Sequence, residues 1–199
     1  MNIASITTRQ LIGADVVPYI PDLARLRIQV FREYPYLYDG DEAYEEQHLH
    51  RYSKSANATI VLVLDGDQIV GASTGIPITD DHETYRKPFL EHGYDVSKIF
   101  YFGESVLLPE YRGKGLYKHL MSGRESHARM LGRYNLVCFC SVVRPEGHVL
   151  KPVNMTPMDE IWPHYGYTKH PELITFLTWK DIDKETSDKK PMVFWTKSF

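Results

Sequence analysis

The chain has 199 residues, 43% hydrophobic and 25% charged, with a formal net charge of −3. A chain of this length buries roughly 70% of its unfolded surface and needs no disulfide or metal staple, so residues 1–199 are expected to form one domain. The weak negative charge argues against general nucleic-acid binding. No apolar run approaches the roughly 18 residues that would cross a membrane.

The first residues, MNIASITTRQ, lack a basic stretch followed by an apolar one, so no signal peptide is expected. A helix is predicted over 22–33, where Leu23, Leu26, Val30 and Phe31 recur at helical spacing behind Asp22 as a cap. A turn-rich loop with three nearby tyrosines follows at 35–41, then a polar helix at 42–53. His48 and His50 are two apart on that helix and do not share a face, so both read as surface residues.

The period then changes to that of strands. TIVLVL (59–64) and IVGAST (69–74) flank Asp65-Gly66-Asp67, a hairpin signal. Residues 76–98 read as a long irregular connection, and an apolar strand is predicted over 100–108. A helix at 113–131 and a strand at 136–143 come next. Thr156 as cap, Pro157 at the first position and Asp159 two later predict a helix over 157–163. Strands at 173–179 and 192–196 close the chain. The order implies a mixed α/β layer fold with one main sheet. The last strand, MVFW, either completes that sheet or pairs across a homodimer.

Cys138 and Cys140 lie on one face of the 136–143 strand, where adjacent same-face positions disfavour a disulfide. They read as buried free thiols, which suits a reducing cytoplasm. No HExxH and no clustered histidines occur, so no metal is expected.

The segment FYFGESVLLPEYRGKGLYKHLM (100–121) carries most of the functional information. A strand runs into Arg112-Gly113-Lys114-Gly115, and a helix starts at once with Leu116 and Tyr117. Glycines let backbone N–H groups approach an anion closely, and the helix start adds about half a positive charge. Between Glu110 and Arg133 lie six basic residues against two acidic ones. Arg112, Lys114 and Lys118 are placed for phosphate contact, whereas Arg124 to Arg133 read as a solvated helix face. No GxGxxG opens a βαβ unit, and Gly115 is followed by Leu116 rather than the lysine of a nucleotide-binding P-loop.

These features together resemble the GNAT superfamily of acetyl-CoA-dependent N-acetyltransferases. The family turn is Arg/Gln-x-x-Gly-x-Gly/Ala. Arg112 and Gly115 match its first two fixed positions, and Tyr117 replaces the last. Leu107 to Tyr111 match the usual lead-in, and Tyr165-Gly166-Tyr167 matches the aromatic-glycine end of a later helix. The resemblance covers most of 20–180. It implies a central, mostly antiparallel sheet flanked by helices, acetyl-CoA as cofactor, and a small-molecule or peptide amine as acceptor. It implies backbone donors at Val106, Leu107 and Leu108, a pyrophosphate site at 112–117, and a cofactor-arm contact from Asn154.

Acetyl transfer needs the amine deprotonated, since an ordinary ammonium has a pKa of about 10.4, and a departing thiolate whose acid has a pKa near 8.5. Glu104, a carboxylate in an apolar strand, is the base candidate. A paired structural carboxylate, or a simple anchor for a substrate cation, are the other readings of that residue. Where relatives carry an acidic tyrosine this chain has Trp162, so Tyr165 is the nearest phenol to act as acid, with solvent as the alternative. The acceptor pocket is expected to use Tyr36 to Asp41 and the strand edges near Thr74, and Arg144 and His148 are candidates for binding an acidic acceptor. A non-catalytic CoA-binding module is the rival function.

Overall fold

The computed structural model describes residues 6–199. The first half of the signal-peptide reading therefore lies outside the described residues. The predicted helices appear as α1 (Ile20–Phe31) and α2 (Glu42–Lys54), and the hairpin as β2 (Thr59–Asp65) and β3 (Gln68–Pro77). The polar segment Ile6–Ile12 forms β1, pairing antiparallel with β2 although Leu11 is its one buried residue.

Two expectations are corrected at this point. The connection at 76–98 is not irregular, because it contains α3 (Glu83–Glu91), whose Tyr85 and Phe89 are buried one turn apart. The single strand at 100–108 is two short ones, β4 (Ile99–Tyr101) and β5 (Ser105–Leu107). Both pair with β3, at Ile76↔Tyr101 and at Ala72↔Val106, so the chain swells outward between them while keeping one partner.

Helix α4 (Leu116–Met130) follows the glycine turn and leads into β6 (Leu136–Val142). The helix expected at 157–163 is only α5 (Met158–Ile161), with Pro157 rather than Thr156 at its cap. Pro163 turns the chain into a tighter turn at 162–165, which ends at Gly166 with φ +84°. Strands β7 (Thr168–Trp179) and β8 (Asp188–Ser198) complete a sheet of order β1-β2-β3-β4-β6-β8-β7. Strand β8 has β6 on one edge and β7 on the other. Its MVFW segment thus completes the sheet and has no edge to offer a second subunit.

Every pairing is antiparallel except β4 with β6, a parallel ladder of three residue pairs from Ile99↔Leu136 to Tyr101↔Cys138. One further bond, Phe102 N–H to Cys138 C=O at 2.8 Å, ends it. Beyond it β5 stays with β3 while β6 stays with β8, and the sheet splays. The main core lies under β2, β3 and α1, and a second, aromatic core around Phe100, Phe139, Trp162 and Trp195 lies under α4. Among the described residues no helix is long and apolar enough to cross a membrane.

Candidate active site at the splayed strands

Gly103 and Glu104 occupy the break between β4 and β5, so Glu104 is a break residue and not a strand residue. The break is built from named bonds. Thr74 N–H donates to Glu104 C=O at 3.1 Å, and Glu104 N–H donates to Thr74 Oγ1 at 3.2 Å. Thr74 Oγ1 in turn donates to Tyr52 Oη at 2.9 Å. A Cβ on Gly103 would collide with Tyr52 Oη and Thr74 Oγ1, so only glycine lets the backbone sit this close. From the other face of the sheet, Arg124 donates to Glu104 C=O at 2.8 Å and lies 4.3 Å above the Phe102 ring. Arg124 is 2% exposed, which corrects the solvated-face reading for that residue.

The Glu104 carboxylate, 6% exposed, pairs with Arg27 at 2.5 Å, and Arg27 also pairs with Glu45. Burial alone would lower the Arg27 pKa, but the two carboxylates hold it well above its ordinary value. Two buried carboxylates around one guanidinium leave an excess negative charge in the wall of a cavity. That cavity has a volume of about 670 Å³ and is walled by α1, α2, the β4–β5 break and β7. Tyr36, Tyr38, Asp39 and Asp41 of the 35–41 loop line it, along with Tyr52, Tyr85, Tyr101, Phe176 and Trp179, whereas Thr74 is not part of its lining. Burial pushes the Tyr36, Tyr52, Tyr85 and Tyr101 phenols upward, so all are neutral.

His48 also lines this cavity, which corrects its reading as a surface residue. Its Nδ1 lies 2.8 Å from Arg51 Nη2 and accepts from it. Burial, then Arg27 and Arg51, hold its pKa well below 6.5, so the ring is neutral. Cys140 lies in the same wall, 3.3 Å from Tyr101 Oη, and burial pushes its thiol up to about 12. Cys138 is buried and pushed upward for the same reason. Neither is a nucleophile at neutral pH.

Arg144 does not face an acceptor. It makes two bonds to Asp181, at 2.6 and 3.0 Å, and donates to the carbonyls of Pro35 and Tyr36. It therefore fastens the 35–41 loop to the far side of the sheet. Ile182 N–H to Leu37 C=O at 2.7 Å and Asp39 N–H to Lys180 C=O at 2.9 Å do the same. Leu37 is held at φ +53° and buried, a conformation that costs a non-glycine residue about 1–2 kcal/mol. His148 packs beside the Tyr34 ring, 5.7 Å away.

On the cofactor side, strand pairing sorts the three expected donors. Leu108 N–H is donated to Val70 C=O at 3.0 Å, and Val106 faces its partner Ala72 in the same alternation. Val106 and Leu108 are thus spent on β3, and Leu107 is the one of the three whose N–H points into the splay. Gly113 and Gly115 have φ +73° and +76°, which only glycine adopts cheaply, and open space surrounds both. No side chain caps α4, so the first-turn N–H groups of Leu116 and Tyr117 face outward without an intrahelical acceptor.

Tyr117 lies within α4 and its ring turns from the glycine turn toward Tyr165, 5.6 Å away edge-on, and Trp162. Arg112, half-exposed, donates through Nε to Leu107 C=O at 3.0 Å and pairs with Glu33 at 2.7 Å. Lys114 lies 5.2 Å from the Tyr111 ring. Asn154 is exposed and shares a second concavity of about 540 Å³ with Arg112 and Glu33. The structure therefore brings Arg112 and Asn154 into one concavity, with the glycine turn next to Arg112 in the chain, and sets Glu104 in the wall of the other cavity. Among the described residues no group of histidine, cysteine or carboxylate side chains could hold a metal.

Arg27, Glu45, Arg51 and Asp81 carry no role in the sequence reading, and Arg124 carries only that of a solvated face. Arg27 had a signal, because it falls between Leu23 and Phe31 on the apolar face of α1. Glu45 and Asp81 sit among polar neighbours and had none.

Comparison with known proteins agrees with this architecture. The family described as Acetyltransferase (GNAT) matches residues 23–146. No curated protein matches the chain. Solved structures share the fold at low identity. A GNAT-family acetyltransferase from Streptococcus pneumoniae is 12% identical, with 98% of this chain and 99% of that one covered and a TM-score of 0.59. Ribosomal-protein-alanine N-acetyltransferase from Brucella melitensis is 11% identical, with 97% and 99% covered and a TM-score of 0.61. The yncA protein of Salmonella typhimurium, solved with its cofactor acetyl-CoA, is 12% identical, with 98% and 94% covered and a TM-score of 0.52. With a match over more than half its length, a splayed sheet and an open glycine turn suited to acetyl-CoA, the chain belongs to the acetyltransferase (GNAT) family.

Proposed function

We propose that the protein moves an acetyl group from acetyl-CoA to a primary amine by direct attack. The observation that carries this reading is the break at Gly103–Glu104, which sets a buried carboxylate in a cavity wall close in the chain to Leu107, whose backbone N–H is not spent on β3. Acetyl-CoA supplies the acyl group as a thioester. In this reading the N–H groups of Gly113, Lys114, Gly115, Leu116 and Tyr117 hold its pyrophosphate, helped by Arg112 and Asn154. Leu107 N–H stabilises the charge that develops on the acyl oxygen.

Glu104 draws the amine in as its ammonium and takes one proton, directly or through water, before nitrogen attacks; the second proton, which the nitrogen sheds after attack, passes to water. The N–C bond forms, the C–S bond breaks, and the departing thiolate is protonated by Tyr165. The neutral thiols of Cys138 and Cys140 favour direct attack over an acyl-enzyme. Leu107 alone, rather than three neighbouring residues, acts as oxyanion donor.

Glu104→Gln tests the reading. Acetyl-CoA should raise the melting temperature of wild type and variant alike, since ligands of the native state stabilise by mass action. Turnover should fall by roughly 10²- to 10⁴-fold. Wild-type turnover in the variant would remove Glu104 from the chemistry. Absence of any acetyl-CoA shift would overturn the whole reading.

A further inference from the structure

The carboxylates lining the acceptor-side cavity are Asp39, Asp41, Glu45, Asp81 and Glu104. Asp39 is held by Lys180 and Arg32, and Asp81 by Arg51. Asp41 stands in solvent and caps α2, accepting from Tyr44 N–H at 2.9 Å. Glu45 and Glu104 have Arg27 alone between them. The buried deficit of positive charge therefore sits at one point of the wall.

That point can be reached from the cavity. Glu104 Oε1 takes the ion pair with Arg27. Glu104 Oε2 makes no hydrogen bond among the described residues, yet it is not closed off: the side chain keeps 6% of its surface open and lines the cavity. Glu45, only 2% exposed, supplies charge without contact.

Much of the surrounding wall is made of rings. Tyr85 and Tyr101 stack at 4.6 Å. Tyr36 lies 4.6 Å from Phe31 and 6.1 Å from Trp179, which makes a second group. Several polar atoms of these rings are spent inside the protein. Trp179 N–H donates to Tyr36 C=O at 2.9 Å, and Tyr101 Oη lies 3.3 Å from Cys140 Sγ. What the rings offer a ligand is chiefly their faces, which favour another ring or a cation.

From the one reachable charge deficit and the rings around it we propose the acceptor class: a monoamine whose single ammonium is joined by a short linker to an aromatic ring. Glu104 Oε2 takes the ammonium and the wall takes the ring. Glu45, untouched by the ligand, sets the preference for a cation. An acidic amino acid is repelled by the excess charge of the wall. The second ammonium of a polyamine finds every further carboxylate engaged or solvated. A peptide brings amide groups to ring faces that offer them few partners. The proposal rests on the acetyltransferase reading given above.

Two comparisons test it. Calorimetric titration of 2-phenylethylamine and of neutral 2-phenylethanol into the CoA-saturated protein reads the charge preference without turnover. The amine is expected to bind at least about 10-fold more tightly than the alcohol. Glu45→Gln should bring the two within about 3-fold of each other. A purely structural Glu45 would weaken both together and keep the ratio, which overturns its part in the proposal. Equal affinities in the wild type overturn the proposal without any variant. Turnover with acetyl-CoA reads the ring: kcat/KM for 2-phenylethylamine should exceed that for hexylamine by about 10-fold, since ring–ring contacts add to simple burial. Equal values for these two, or preference for spermidine, glutamate or an alanine-terminated peptide, overturn the proposal and leave the acetyltransferase reading standing. Failure of acetyl-CoA to raise the melting temperature sinks that reading, and the acceptor proposal with it.

Discussion

Trp162 donates its indole N–H to the hydroxyl of Tyr117 at 3.0 Å. The bond ties the first turn of α4 to the tight turn at 162–165. Tyr117 is not a glycine-sized gap filled by accident. Its ring leaves the turn and completes an aromatic cluster with Tyr165, while Trp162 meets Phe139 and Trp195 edge-on.

A double-mutant cycle on this pair has a definite expectation. Tyr117→Phe leaves a buried indole N–H without an acceptor and should cost about 1–3 kcal/mol. Trp162→Phe removes the donor and also packing. The double variant should recover about 1 kcal/mol relative to the sum, measured by urea unfolding. Strict additivity would mean the bond contributes nothing.

The Glu45–Arg27–Glu104 group predicts an asymmetry. Arg27→Met leaves two buried carboxylates facing each other and should cost about 3–5 kcal/mol. Glu45→Gln leaves one carboxylate with one guanidinium and should cost well under half of that. Equal losses in the two variants would show that the excess charge has no energetic weight.

Gly103→Ala should impair both stability and turnover, since its Cβ must displace Tyr52 or Thr74, which hold the Glu104 backbone. Overpacking of this kind costs about 1–3 kcal/mol. Adding Tyr52→Phe removes the colliding hydroxyl and should restore part of the stability. If the double variant is no better than the single one, the collision is not the cause.

His48 gives a pH signature. Its pKa in the folded protein lies below the ordinary 6.5, chiefly through burial. As pH falls, the unfolded chain therefore takes up the proton first. The stability tied to His48 is complete above about pH 6.5 and is lost below it at about 1.4 kcal/mol per unit. His48→Gln should flatten that slope relative to wild type in unfolding curves between about pH 5.5 and 7.5. An unchanged slope would assign the effect elsewhere.

The β2–β3 hairpin was legible because its signals are local. Asp65-Gly66-Asp67 fixes a turn between two β-branched runs. Helix α3 was hidden by Pro88 and by the nearby Gly93, although Tyr85 and Phe89 carried the helical spacing. Strand β1 was hidden because an outer strand with one buried residue has almost no apolar pattern. The break in the 100–108 strand could not be read, because it depends on β6 leaving β4, which is a property of two distant segments. Glu104 and Arg27 obey one rule, a charge where the period calls for an apolar residue. The rule found one and would have found the other. Asp81 becomes visible only when a fold puts α2 and α3 around the same cavity.

The splay also has a mechanical side. Arg27, on the helix packed against β3 and β5, and Glu104, at the start of β5, go with the arm that contains β3, whereas Cys140, Phe176, Trp179 and Met192 belong to the arm that contains β8. The arms are joined by a ladder only three pairs long. A pocket with one jaw on each arm is a caliper whose opening is set by the angle at that short joint. A small change of angle at that joint therefore becomes a larger change in the distance between the two jaws.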